Sequence, residues 1–282
     1  MLRIRVADRK QVILEPLSSD SEIQLRIQWL GQAGFLIDSK QARIIIDPYL
    51  SDSLAIKYKG TRFEHVRMMP VFINPADIGS ISVFLSSHHH TDHMDKDTIY
   101  PIASTNKSCL FVIPAASCES PKLKNVAKER IIAADAFAPI NIRDIAIFPI
   151  PSAHEELTID ESGHHVYLGY IITIGNITLY HSGDCVPYAG LLRNLADFRV
   201  DIALLPVNGR DEIRKTAGIL GNFTLDEALQ LSMDAGFGFS IGHHFGMFEF
   251  NTIDVGLAEN IIQRKGVRNF MLAATGEIYE FF

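Results

Sequence analysis

Ile81-Ser82-Val83-Phe84-Leu85-Ser86-Ser87-His88-His89-His90-Thr91-Asp92-His93-Met94-Asp95 sets a short apolar run directly before a cluster of metal-ligand side chains. Ile81–Leu85 reads as a buried central strand, of the kind that delivers polar residues from its C-terminal end. In extended backbone His88 and His90 point the same way, because side chains alternate with a period of two, so both imidazoles reach one ion. If the chain curls into a helical turn after His90, Asp92 and His93 face a neighbouring position and invite a second ion. A histidine run can also be a solvated, tag-like loop. The strand before this one and the Asp92-His93 pair after it favour ligands.

Working outward, Ile23–Leu30, Phe35–Asp38 and Arg43–Asp47 read as a meander of short strands, broken by Gly31-Gln32-Ala33-Gly34. Tyr49 to Pro75 is polar and aperiodic, the pattern of a long functional loop. Further strands are expected at Leu110–Ile113, Ile145–Ile150, Val166–Ile174, Ile177–Tyr180, Ile202–Val207, Phe239–Ile241 and Phe270–Leu272. Helices are expected near Pro121–Arg130, Ala189–Ala196, Leu225–Ala235 and Ile253–Lys265. The firmest is the one at Leu225, where Thr224-x-x-Glu227 forms a capping box before a one-sided apolar face. No repeat or linker divides the chain, so residues 1–282 are expected to form a single α/β domain of two sheets covered by helices, in four layers.

Apolar residues make up 47% and charged residues 21% of the 282, enough for a buried core. The net charge of −7 gives no encouragement to nonspecific nucleic-acid binding, so no nucleic-acid partner is expected. Three cysteines without a C-x-x-C pair indicate neither a disulfide framework nor a thiolate zinc knot. The amino-terminal run from Met1 to Val6 lacks the apolar stretch of a signal peptide, and no membrane-length segment follows. A cytoplasmic location without a membrane partner is expected.

The H-x-H-x-D-H spacing of His88, His90, Asp92 and His93 resembles the signature of the metallo-β-lactamase superfamily. That resemblance implies the αββα sandwich and three further ligands. His154, in Pro151-Ser152-Ala153-His154, follows the apolar run Ile145–Ile150. Asp184, in His181-Ser182-Gly183-Asp184, fits the bridging aspartate. The last is His244 or His243, with His244 preferred because it lies two before Gly246. Asp47 resembles the family's early aspartate, which buttresses the metal histidines. On this scheme His88, His90 and His154 hold one divalent ion, Asp92, His93 and His244 hold the second, and Asp184 bridges them. Imidazole and carboxylate ligands without sulfur suit zinc, manganese or iron. Two such ions would activate a water, since metal coordination brings its pKa from about 16 to about 7.

Trp29-Leu30-Gly31, Asp47-Pro48-Tyr49-Leu50-Ser51-Asp52, Asn74-Pro75, the His181–Asp184 turn and His243-His244 are similar to the branch typified by L-ascorbate-6-phosphate lactonase. The resemblance implies hydrolysis of a small phosphorylated lactone or ester, with Asp92 or a bound water returning a proton to the leaving oxygen; His181, at the start of the His-Ser-Gly-Asp turn, is a second catalytic candidate, a packed strand-end histidine being the other reading. Arg210 is the first candidate for a phosphate anchor and Arg67 another, although ordinary surface charge explains most such residues. Two rival readings are a phosphodiesterase or ribonuclease of the same fold, and a metal-binding regulatory protein without turnover. Phe237, Phe239, Phe245, Phe248 and Phe250 are expected in the core, with a homo-oligomer interface as the other use for them.

Overall fold

The structure is a computed structural model and describes residues 2–8 and 15–282; Met1, part of the amino-terminal run considered above, lies outside the described residues. Along the chain the strands are β1 Ile4–Asp8, β2 Leu25–Gly31, β3 Gly34–Ser39, β4 Arg43–Ile46, β5 Val83–Leu85, β6 Leu110–Pro114, β7 Ile131–Ala134, β8 Ile140–Ile142, β9 Ile145–Pro151, β10 Leu168–Ile174, β11 Ile177–His181, β12 Ile202–Pro206, β13 Phe239–His243, β14 Phe270–Leu272 and β15 Glu277–Phe281. The α-helices are α1 Ser53–Lys57, α2 Lys96–Thr105, α3 Leu191–Leu195, α4 Glu212–Thr216, α5 Leu225–Asp234 and α6 Val255–Lys265. The chain forms two compact units. One comprises Met1–Ala134, Gly246–Phe250 and Ala274–Phe282, the other Asp135–Phe245 and Asn251–Ala273.

The first unit carries an eight-stranded sheet in the order β1-β15-β2-β3-β4-β5-β6-β7. Its first part is antiparallel and its last part, from β4 through β7, is parallel. The parallel strands are buried along their length, which is why Ile44–Ile46 and Val83–Leu85 are unbroken apolar runs. Phe84 and Phe111 stack at 5.1 Å in a cluster with Leu36, Ile45 and the inward face of α2, Ile99 and Ile102. Burying one such side chain stabilises by roughly 1.5–3 kcal/mol. The β2–β3 turn needs glycine: Gly31 has φ +95°, and a Cβ there would lie 2.6 Å from Met69 Sδ and Met247 Cε.

The second unit carries a seven-stranded sheet, β14-β13-β12-β11-β10-β9-β8, antiparallel from β8 to β11 and parallel from β11 to β14. Helix α5 packs on β12 and β13, and α6 on β14. Thr224 and Glu227 make the capping box that the sequence predicted for α5. The α/β class with two sheets and accompanying helices is as expected.

Two local expectations are corrected. Pro121–Arg130 is not an α-helix but two 3₁₀ turns, Pro121–Leu123 and Lys128–Arg130. The segment buries only Leu123 and Val126, too little to support a helical face. The loop from Tyr49 to Pro75 contains the short helix α1, held where Leu54 N donates to Tyr49 Oη at 3.0 Å. Phe237, Phe245 and Phe248 are buried, as expected of core residues. Among the described residues no helix is long and apolar enough to cross a membrane.

Candidate metal centre

Each unit contributes a cluster of ligand-type side chains at the C-terminal ends of its strands. In the first unit, β5 ends at Leu85 and the chain turns through Ser86–His93. His88 is fully buried, His90 half-buried and His89 exposed, although residues 87–90 form bends and not the extended run that the alternation argument assumed. The predicted curl follows: the N–H groups of His93 and Met94 donate to the carbonyl of His90 at 3.1 and 2.7 Å. The His88 ring centroid lies 4.5 Å from that of His90 and 4.0 Å from that of His93.

Asp47, at the end of β4, is buried beneath this cluster and fixes it. Its Oδ1 accepts from Ser87 N at 2.7 Å; its Oδ2 accepts from Ser87 Oγ at 2.5 Å and from His93 Nδ1 at 2.8 Å. Ser87 Oγ also lies 3.0 Å from His88 Nδ1. With its Nδ1–H given to Asp47, neutral His93 presents a lone pair on Nε2, and that atom stands 3.7 Å from Asp92 Oδ2. Asp92 is held from another side by Gln32, whose Nε2 donates to Oδ2 at 3.0 Å. Both Asp47 and Gln32 have positive φ, 45° and 53°, a conformation that costs a non-glycine residue on the order of 1–3 kcal/mol and concentrates at functional sites.

In the second unit, His154 follows β9, Asp184 follows β11, and His244 follows β13. One carboxylate oxygen of Asp184 addresses each histidine: Oδ2 is 3.5 Å from His154 Nε2, and Oδ1 is 3.2 Å from His244 Nε2. His154 Nδ1 donates to the carbonyl of Gly221 at 3.0 Å, so in a neutral ring its Nε2, like that of neutral His93, turns a lone pair toward a carboxylate. With the rings neutral, nitrogen and carboxylate oxygen are both acceptors at each place, an arrangement that a proton or a metal cation relieves. The donor set, all imidazole nitrogen and carboxylate oxygen, suits a hard or borderline divalent ion. These residues therefore fit a metal.

Gly221 can approach His154 only because it lacks a side chain: a Cβ there would fall 2.1 Å from Arg210 Cβ. The backbone of Asp184 is tied by Ser152, whose Oγ donates to the Asp184 carbonyl at 2.6 Å. His244 has φ +69° and directs its ring to Asp184, whereas His243 is fully buried and stacks on His181 at 5.3 Å. Burial, then the neighbouring His181 and His244, push the His243 imidazole well below its ordinary value. His181 is buried too, and its Nδ1 accepts from Gly183 N at 3.1 Å.

The arginines singled out from sequence have protein partners. Arg210 grips Glu227 through two nitrogens at 2.6 and 2.7 Å and donates to the carbonyl of Asn222. Arg67 donates to the carbonyls of Tyr49 and Ser51 and pairs with Asp52 at 3.3 Å. A cation that sequence reasoning missed is Lys122: its Nζ donates to the carbonyl of His89 at 2.5 Å and to Thr91 Oγ1 at 3.2 Å. Burial is the main cause that lowers this ammonium to about 8, and Asp92 works in the opposite direction. Gln32, Ser87 and Gly221 were also missed; for Gly221 and Lys122 the sequence carries no signal.

Residues 26–232 match the family model for the beta-lactamase superfamily domain. The chain is 22% identical over 250 residues to a UPF0173 metal-dependent hydrolase of Saccharolobus solfataricus, covering 88% of this chain and 96% of that one. It is 24% identical over 289 residues to N-acyl-phosphatidylethanolamine-hydrolyzing phospholipase D 1 of Caenorhabditis elegans, covering 92% and 77%. The crystal structure of a possible metal-dependent hydrolase from Veillonella parvula superposes with a TM-score of 0.70 at 16% identity, covering 91% of this chain and 98% of that one.

Proposed function

Because the chain belongs to the beta-lactamase superfamily, we propose that residues 1–282 work as one metallo-β-lactamase-fold domain and that the protein is a metal-dependent hydrolase. His88, His90 and His154 would hold one divalent ion, Asp92, His93 and His244 a second, and Asp184 would bridge them. Zinc and manganese fit this ligand set best, and iron also fits. When bound, the ions would supply Lewis acidity and lower the pKa of water. The observation that carries the reading is the pair of opposed acceptors, His154 Nε2 against Asp184 and His93 Nε2 against Asp92. In both, the other ring nitrogen is already committed, to Gly221 or to Asp47.

The protein's own residues would then divide the work. Asp47 and Ser87 hold the His88 and His93 rings, and Gly221 holds His154. Asp92, steadied by Gln32, or a bound water would take the proton released by the attacking water and return it to the leaving oxygen. His181 acts through the Gly183-Asp184 turn that its Nδ1 anchors. The substrate in this reading is a small phosphorylated lactone or ester. A phosphodiester is the second reading, favoured by the likeness to the nematode phospholipase.

Elemental analysis of wild type, His90→Ala and Asp184→Ala, paired with hydrolysis of lactones, phosphoesters and phosphodiesters, tests the proposal. Two ions per chain in wild type, lost with activity in both variants, is the expected outcome. Absence of metal from wild type, or turnover indifferent to the substitutions, would sink it.

A further inference from the structure

The geometry points to Lys122 as the place in the first unit where the phosphate of a phosphorylated substrate is received. This rests on the hydrolase reading above and names the residues that would recognise its substrate.

Lys122 stands on the 3₁₀ turn Pro121–Leu123, capped by Ser120, and reaches back to the ligand-bearing turn. Its two hydrogen bonds, to the carbonyl of His89 and the hydroxyl of Thr91, hold the ammonium on the same turn that carries His88, His90 and Asp92. An ammonium has three donors, and only neutral oxygens take these two. Several other basic side chains pair with carboxylates, Arg67 with Asp52, Arg210 with Glu227, Arg214 with Asp211 and Lys215 with Glu155, and Arg62 lies over the Phe63 ring. Among the described residues neither Lys57 nor Lys122 has a carboxylate within the 4.0 Å of an ion pair.

Lys57 lies close enough to oppose the charge on Lys122, and it also acts on His65, which feels Asp92. The charges of Lys57 and Asp92 are thus felt at both Lys122 and His65. Two like charges that feel each other, one of them half-buried, are unfavourable by themselves. A dianionic phosphate would offset both the repulsion and the desolvation, and lysine receives it as a point charge.

The test is isothermal titration of inorganic phosphate into metal-loaded wild type, Lys122→Met, Lys122→Arg and Lys57→Met, with elemental analysis of the same samples. Loss of a charge-assisted hydrogen bond predicts phosphate binding about tenfold or more weaker in Lys122→Met, at unchanged metal content. Lys122→Arg should stay near wild type, and Lys57→Met, which also covers the case that Lys122→Met does not fold, should weaken binding severalfold. Undiminished phosphate affinity in Lys122→Met, or in Lys57→Met if only that variant folds, would overturn the assignment. So would metal lost together with phosphate in Lys122→Met, which would make Lys122 a prop for the 89–91 turn. Wild type holding metal but no phosphate would overturn the anion site alone; wild type holding no metal would fell the hydrolase reading itself.

Discussion

Asp47→Asn probes the buttress under the first cluster with the smallest change of shape. Asparagine tolerates the positive φ at this position, which alanine does not, so the backbone is left alone. The carboxylate receives three donors, Ser87 N and Oγ and His93 Nδ1. An amide offers one acceptor oxygen. With that oxygen on Ser87 N–H, the NH₂ group faces His93 Nδ1, which must then become an acceptor and move its proton to Nε2, the ligand atom. With the amide reversed, NH₂ meets the Ser87 N–H instead and one buried donor is left unmatched. Either arrangement costs the metal-free fold on the order of 1–3 kcal/mol. Loss of the supporting hydrogen bond lowers metal affinity by about 10–100-fold. Urea unfolding of chelator-treated protein reads the first quantity, and competition with a chromogenic chelator reads the second. Wild-type metal affinity in Asp47→Asn would refute the claim that Asp47 sets the orientation of His93.

Two other outcomes follow from the same coordinates. Gly221→Ala sets a methyl group against Arg210 and pushes the carbonyl away from His154, so thermal unfolding should report a loss of about 2 kcal/mol; an unchanged melting temperature would contradict the close approach. Burial raises Cys109 to about 12 and Cys185 to about 11 from an ordinary value of 9.0, so the unfolded chain releases these protons first. Their contribution is complete below pH 9 and is lost as pH rises through about 11 to 12; neither thiol should react with a disulfide reagent in the native protein, while both should once it is unfolded in urea.

Much of this was legible in the sequence because it is local. The run from Ile81 to Asp95 announces a strand and four candidate ligands within one window, and the conditional curl after His90 is present as a turn closed on the His90 carbonyl. His154, Asp184 and His244 lie in short segments just past apolar runs, and the preference for His244 over His243 matches the ring that faces Asp184. What escaped is long-range. Gln32 meets Asp92 across the fold, and Gly221 meets His154 in the same way. Nothing near Lys122 in the sequence marks it as a neighbour of His89. Pro101 hid α2, since proline inside a helical pattern reads as a break. Here the Asp95 cap and the buried face of Thr98, Ile99, Ile102 and Ala103 override it. Arg210 was singled out for its charge, and only the folded chain shows that its guanidinium belongs to Glu227.

The candidate ligand residues follow the C-terminal ends of β5, β9, β11 and β13, inside frameworks of buried strands. Such an arrangement separates what must stay fixed from what can vary. The segments 50–70 and 208–222 could be exchanged or lengthened while the strand ends still present the same nitrogens and oxygens, at a cost set mainly by loop entropy, roughly 0.6 kcal/mol for each doubling of length. For an engineer, this makes the chain a chassis whose substrate preference can be rewritten in its loops, provided Gly221 and the Arg210–Glu227 clamp are carried along.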